Sequence, residues 1–241
     1  MIHKTRGIVL HHFKYSESSV ICSIYTETHG KIAFLIQGAR KKKARIRANL
    51  LQPFFLLDLE MYYKEKRQLQ KIKEARNNYP FQNIPYDPAK RSIALFLAEV
   101  LHKSIHSEEA DQYLFEFIFN HIQVLDLKES GLANFHLYFI IQLTKFLGFF
   151  PMDNYDDQHP WFDLKKGQFT PIQPFHKQFL PKEESYLFHQ LMKFSNNQHE
   201  EMTINRHSRS RLLEKTLDFY YFHQPEMHAV KSLDILSELF N

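Results

Sequence analysis

The spacing of apolar residues changes once along this chain, and that change limits the folds open to it. Through residue 75 apolar residues come in short, strand-like runs broken by tight turns. From Pro88 onward they recur every three or four residues, the period of an amphipathic helix. Between these regimes, Asn77-Asn78-Tyr79-Pro80 and Ile84-Pro85-Tyr86-Asp87-Pro88 set three prolines that interrupt either kind of regular structure. The reading is an α+β chain of two domains, a strand-built part of residues 1–79 and a helical part of residues 80–241.

In the first part, Thr5 to Phe13 and Ser18 to Thr26 are rich in β-formers. Glu27-Thr28-His29-Gly30 reads as a hairpin turn in which Gly30 supplies a positive φ. Lys31 to Gln37 alternates, with Ile32, Phe34 and Ile36 on one face. Pro53 to Tyr63 is a long apolar strand, and Leu69 to Ala75 a fifth. Five strands in about seventy residues without a long helix predict a small closed barrel, of which the OB-fold is the commonest five-stranded form.

The second part predicts helices at Pro88 to Lys103 (Ile93, Phe96, Leu97, Val100 and Leu101 on one face) and at Glu108 to Leu125. A third, Leu132 to Leu147, is stopped by Gly148. Residues 149–181, with five prolines, read as irregular. Further helices are expected at Lys182 to Phe194, Ser208 to Phe222 and Ala229 to Phe240.

Charge follows the same division. Residues 1–79 hold sixteen Lys and Arg against six Asp and Glu, a net of +10, whereas residues 80–241 carry a net of −6. Six basic residues, Arg40, Lys41, Lys42, Lys43, Arg45 and Arg47, fall within eight positions between the third and fourth strands, with no acidic residue among them. Ordinary surfaces mix signs. A one-signed loop on a small barrel suits a phosphate backbone, gripped without reading sequence. Lys4, Arg6 and Lys31 on strands, and Lys64, Lys66 and Arg67 at the fourth turn, are candidates to extend that positive face. Phe13, Tyr15, Tyr62 and Tyr63 are candidates to stack on bases, with Tyr15 the best surface candidate. Arg206, Arg209 and Arg211 precede a late helix and can receive an acidic peptide tail, with Leu212, Leu213 and Phe219 as an apolar floor.

Other classes find little support. The single Cys22 excludes an intramolecular disulfide and a cysteine-built zinc site, and its apolar strand setting marks it as a small buried hydrophobe. The N-terminus does not resemble a signal peptide, and Phe135 to Leu147 is too short and too polar for a membrane helix, so a soluble, cytoplasmic protein is expected. His102 and His106 lie four apart without the glutamate of a zincin, and His11-His12 and His223 lack a nearby nucleophile. Glu183-Glu184 and Glu200-Glu201 read as solvated helix ends. No Gly-rich phosphate loop or nucleophile elbow occurs, so the expectation is a binding protein and not an enzyme.

Several short runs, taken in order, resemble the RecO family of bacterial recombination mediators over essentially the whole chain. They are Lys4-Thr5-Arg6-Gly7-Ile8-Val9-Leu10, Tyr15-Ser16-Glu17, Thr28-His29-Gly30-Lys31, Gly38-Ala39-Arg40-Lys41 and Leu51-Gln52-Pro53. Toward the other end, Leu212-Leu213, Tyr220-Tyr221 and Lys231-Ser232-Leu233 are similar to that family as well. The resemblance implies an N-terminal OB-fold, a C-terminal helical domain, and binding to single- and double-stranded DNA. It further implies annealing of complementary strands coated with single-strand-binding protein, and work with the partner RecR to help load the RecA recombinase. It places contact with the acidic tail of single-strand-binding protein in the helical domain, and leaves open any dependence on RecF.

Many members of that family carry a four-cysteine zinc module after the third helix. Here Asp156, His159, Gln173 and His176 stand at nearly matching spacing, a degenerate module without cysteine. An amide is a poor zinc ligand beside thiolate, so the family's zinc is not carried over. The rival readings are an RNA-binding OB protein, a metal-dependent nuclease, and an adaptor whose basic loop meets an acidic protein surface.

Overall fold

The computed structural model describes residues 1–41, 44–107, 109–193, 202–227, 229–233 and 236. Lys42, Lys43, the Glu200-Glu201 pair and half of the expected last helix, Ala229 to Phe240, lie outside the described residues.

Five strands, β1 (Ile2–Lys14), β2 (Val20–Thr26), β3 (Gly30–Ile36), β4 (Leu56–Tyr62) and β5 (Leu69–Asn77), close into a barrel of order β1-β2-β3-β5-β4. Every neighbouring pair is antiparallel except β3 and β5, which run parallel at Ala33↔Leu69 and Phe34↔Gln70. This is the OB-like barrel expected from the strand count. Alternation on β3 sends Ile32, Phe34 and Ile36 into the core with Val9, Cys22, Ile24, Leu57, Leu59 and Met61. Burial pushes the Cys22 thiol up to about 12, so it behaves as an apolar side chain. Gly30 has the positive φ its turn needs, +62°. Gly7 serves another purpose: a Cβ there would lie 2.7 Å from Leu59 Cδ1 and 2.8 Å from Ile24 Cγ2, so strands this close admit only hydrogen.

The chain divides into compact units of residues 1–127 and 128–241, so the barrel shares its unit with two helices, α1 (Pro88–Ser104) and α2 (Gln112–Leu127). Asp87 caps α1, its Oδ1 accepting from Ala89 N at 2.8 Å and Lys90 N at 3.1 Å, and Pro88 occupies the first turn where no N–H is needed. The five apolar residues expected to face inward on α1 are all buried. On α2, Phe115 and Phe119 are buried alongside Ile118 and Ile122, while Phe117 is only half-buried. The proline-punctuated segment before α1 is held by the fully buried Asp126 of α2. Its carboxylate accepts from the backbone N–H groups of Gln82, Asn83 and Ile84 at 2.8–2.9 Å, and its main-chain carbonyl accepts from Lys90 Nζ at 2.7 Å.

The second unit holds α3 (Phe135–Phe146), α4 (Lys182–Lys193) and α5 (Arg206–His223). Residues 149–181 are not irregular throughout. They contain β6 (Trp161–Asp163), β7 (Gln168–Thr170) and β8 (Phe179–Leu180) in a sheet of order β7-β6-β8. Strands of two or three residues are too short for alternation to register in the sequence. They are fixed by ring packing: Phe162 lies 4.8 Å from Phe169, 4.7 Å from Phe188 and 5.8 Å from Phe219, centroid to centroid. Tyr220, wholly buried, donates its hydroxyl to the Ile140 carbonyl at 2.5 Å and so ties α5 to α3.

Candidate nucleic-acid interface

The basic loop is anchored from within. Ala39, Ile46 and Leu51 enter the barrel core, and Ala48 N–H donates to the Ala39 carbonyl at 3.2 Å. With Ile46 directed inward, its neighbours Arg45 and Arg47 are exposed, as are Arg40 and Lys41. Turn bonds from Lys41 N to Gly38 O and from Ala44 N to Lys41 O, at 3.0 and 3.1 Å, shape the tip. Arg40 fastens the loop to the β1–β2 turn, donating its backbone N–H to Ser18 O and its Nη1 to Glu17 O, both at 3.3 Å. Among the described residues, no carboxylate forms an ion pair with Lys41, Arg45 or Arg47. Three cations without counter-charges on an anchored loop favour an anion.

The same β1–β2 turn presents Tyr15, 60% exposed, with its N–H bonded to Ser19 O. Lys14, at the end of β1 and also exposed, joins this edge, although sequence reasoning passed over it because a lone lysine at a strand end carries no pattern. Arg40, Lys41, Arg45, Arg47 and Tyr15 are therefore brought to one end of the barrel.

The remaining candidates go elsewhere. Lys64, Lys66 and Arg67 occupy the β4–β5 turn, at the opposite end of β4, roughly 20 Å away at about 3.3 Å per residue. Lys4 is exposed and pairs with Glu60, Nζ to Oε1 3.4 Å, beside a closer Lys73–Glu60 contact of 2.7 Å. Arg6 faces α2. It makes a bidentate pair with Glu27 (2.9 and 2.7 Å), bonds Glu116, and lies 5.1 and 4.8 Å from the Phe115 and Phe119 ring centroids. Those bonds, to Glu27 above all, raise the Arg6 pKa. Lys31 is likewise turned toward the helices: its Nζ donates to the His102 carbonyl at the end of α1 at 2.8 Å, and burial lowers its pKa. Arg6 and Lys31 thus fasten helices to the barrel, which the basic character of the first part concealed. Next to Lys31, His102 stacks on His11 at 4.9 Å, and burial, with Lys31 and His11, pushes its pKa down to about 4. That His is a packed ring.

In the second unit, Asn205 caps α5, its Oδ1 accepting from Ser208 N at 2.9 Å. Arg206 is exposed, whereas Arg209 Nη1 donates to the Ile204 carbonyl and Arg211 Nε is paired with Glu184 at 3.0 Å. Leu212, Leu213 and Phe219 form no surface floor; all three are core residues. The shallow pocket at this helix is lined instead by His207, Ser210, Arg211, Glu214 and Leu233.

The zinc-like positions do not converge. His159 Nδ1 lies 2.7 Å from Asp156 Oδ1, while His176 Nε2 turns to the buried Asp163 at 3.3 Å. Among the described residues no three His, Cys, Asp or Glu side chains gather where a metal ion would sit. The residues present do not fit zinc, and the aromatic cluster around Phe162 occupies the structural role. No described helix is long and apolar enough to cross a membrane.

Comparison with known proteins agrees with this architecture. Residues 1–81 match the family described as Recombination protein O N terminal, and residues 85–234 match Recombination protein O C terminal. The chain is similar to the DNA repair protein RecO of Bacteroides fragilis, 40% identical over an alignment of 244 positions that covers all of both chains. It is 36% identical to the protein of the same name from Phocaeicola vulgatus, again over the whole of both chains. The Flavobacterium psychrophilum protein of that name is 33% identical over 99% of each.

Proposed function

The chain belongs to the RecO family, and from that premise we propose that it is a DNA repair protein that binds single- and double-stranded DNA and anneals complementary strands coated with single-strand-binding protein. The observation that carries the reading is the internally anchored basic loop. Ile46 fixes it to the barrel, so Arg40, Lys41, Arg45 and Arg47 hold positive charge at a defined surface beside Tyr15. A loop whose backbone is already held in place loses little main-chain freedom on meeting phosphate. Neutralising two backbones at one edge lowers the repulsion between strands that must pair. The mechanism is binding and not catalysis, and it acts in the cytoplasm.

RecR and the acidic tail of single-strand-binding protein are the proposed protein partners, with RecA loaded as the outcome. The α5 N-terminus, with Arg206 exposed and the pocket of His207, Ser210 and Leu233 beside it, supports a tail site there.

The test is annealing of complementary oligonucleotides coated with the cognate single-strand-binding protein. Wild type is compared with a variant in which Arg40, Lys41, Lys42 and Lys43 are all changed to Ala. Wild type is expected to anneal and the variant to fail while keeping its helical CD signal. A wild-type protein that binds no DNA at low salt overturns the proposal in favour of the adaptor reading, and preference for ribose-bearing strands favours the RNA-binding one.

A further inference from the structure

At the end of the barrel opposite the basic loop, three rings close on one another. The His29 and Tyr63 centroids are 4.3 Å apart, His3 and His29 4.9 Å, and His3 and Tyr63 5.8 Å. They line an open concavity together with Met1, Lys64, Glu65 and Lys66. Tyr63 packs inward on the barrel core yet stays half-exposed, and His29 is held by a 2.7 Å hydrogen bond between its Nδ1 and Thr28 Oγ1.

The turn that carries the lysines beside these rings is also fixed. Gln70, 3% exposed, accepts from Lys64 N–H and donates its amide to the carbonyls of Lys64 and Arg67 at 2.8 and 2.7 Å. Each polar atom of one buried amide is thus used to shape the β4–β5 turn. The turn presents Lys64 and Lys66, and among the described residues neither forms an ion pair. The concavity gathers two lysines against one carboxylate, Glu65.

We propose that this concavity is a second DNA subsite, which takes an unpaired nucleobase of a single strand against the His29 and Tyr63 rings with its flanking phosphates on Lys64 and Lys66. The inference rests on the DNA-binding reading and deepens it. Rings bind any base through its face, so the subsite is indifferent to sequence, whereas a base inside a duplex has both faces covered by its neighbours. Burial, then the neighbouring His3, lowers the His29 pKa, which keeps a neutral imidazole at neutral pH. A strand held here and at the basic loop is gripped at both ends of the barrel.

The experiment measures affinity for an oligothymidine of about 16 nucleotides, the upper site size of one OB-fold, and for an abasic strand of equal length and charge. Wild type is expected to prefer the base-bearing strand. In the Tyr63→Leu/His29→Ala variant that preference shrinks by about tenfold, within the range for one stacked base, while binding to the abasic strand is unchanged. His29→Ala alone gives the same comparison, with a smaller loss, if the double variant does not fold. An unchanged base preference in the folded variant overturns the subsite. If at the same time the basic-loop variant loses binding, the DNA-binding reading stands without it. If wild type binds neither strand, both fall.

Discussion

Replacing Asp126 with alanine removes the acceptor for three backbone N–H groups at once. Ile84 N–H is buried and Asn83 N–H half-buried, while Gln82 is exposed and can turn to water. An orphaned buried donor costs about 1–3 kcal/mol, so two such groups give a loss of about 2–6 kcal/mol. That is a large share of the roughly 5–15 kcal/mol by which a folded protein exceeds its unfolded state. Asp126→Asn is gentler. Its amide oxygen can still accept from Asn83 and Ile84, leaving the exposed Gln82 N–H facing an NH2 group, at a cost of about 1–2 kcal/mol. The assay is urea denaturation followed by far-UV CD, with amide exchange at Asn83 and Ile84 as the local readout. A loss under about 1 kcal/mol for Asp126→Ala, or equal losses for the two variants, would refute the assignment of the connecting segment's order to this carboxylate.

Two further outcomes follow from the barrel. Glu27 is held below the ordinary carboxylate range, chiefly by its hydrogen bonds from Arg6. A carboxylate lowered on folding stabilises above its unfolded pKa, about 4.3, and loses that contribution as pH falls through its folded value. Thermal melts between about pH 5 and pH 3 are therefore expected to fall more steeply for wild type than for Arg6→Met; parallel curves would contradict the role of the pair. Gly7→Ala forces a methyl against Leu59 and Ile24, both buried. A loss of about 1–3 kcal/mol is expected from urea unfolding, and no loss would mean that the strands can part there.

The barrel was legible because its signals are local. Alternation on β3, the turn at Gly30 and the proline break before α1 each depend on neighbours in sequence, and each strand formed within a few residues of its expected place. The helices before Gly148 were legible for the same reason, through their three-four spacing. The basic loop was visible as charge, and Ile46, the one large apolar residue among its arginines, is the residue that anchors it.

What the sequence by itself determined was therefore the kind and order of the elements, and the surplus of positive charge on the first of them. Only the tertiary structure decided which cations remain available. Arg6 and Lys31 meet residues of α1 and α2 far along the chain, and Lys64, Lys66 and Arg67 are carried by one strand length to the other end of the barrel. It also decided that Leu212 is core and that His159 and His176 turn to separate carboxylates. A side chain's type and spacing fix what it can bind, but its partner is set by which distant elements folding brings within about 4 Å, and that distance is not a property of local sequence.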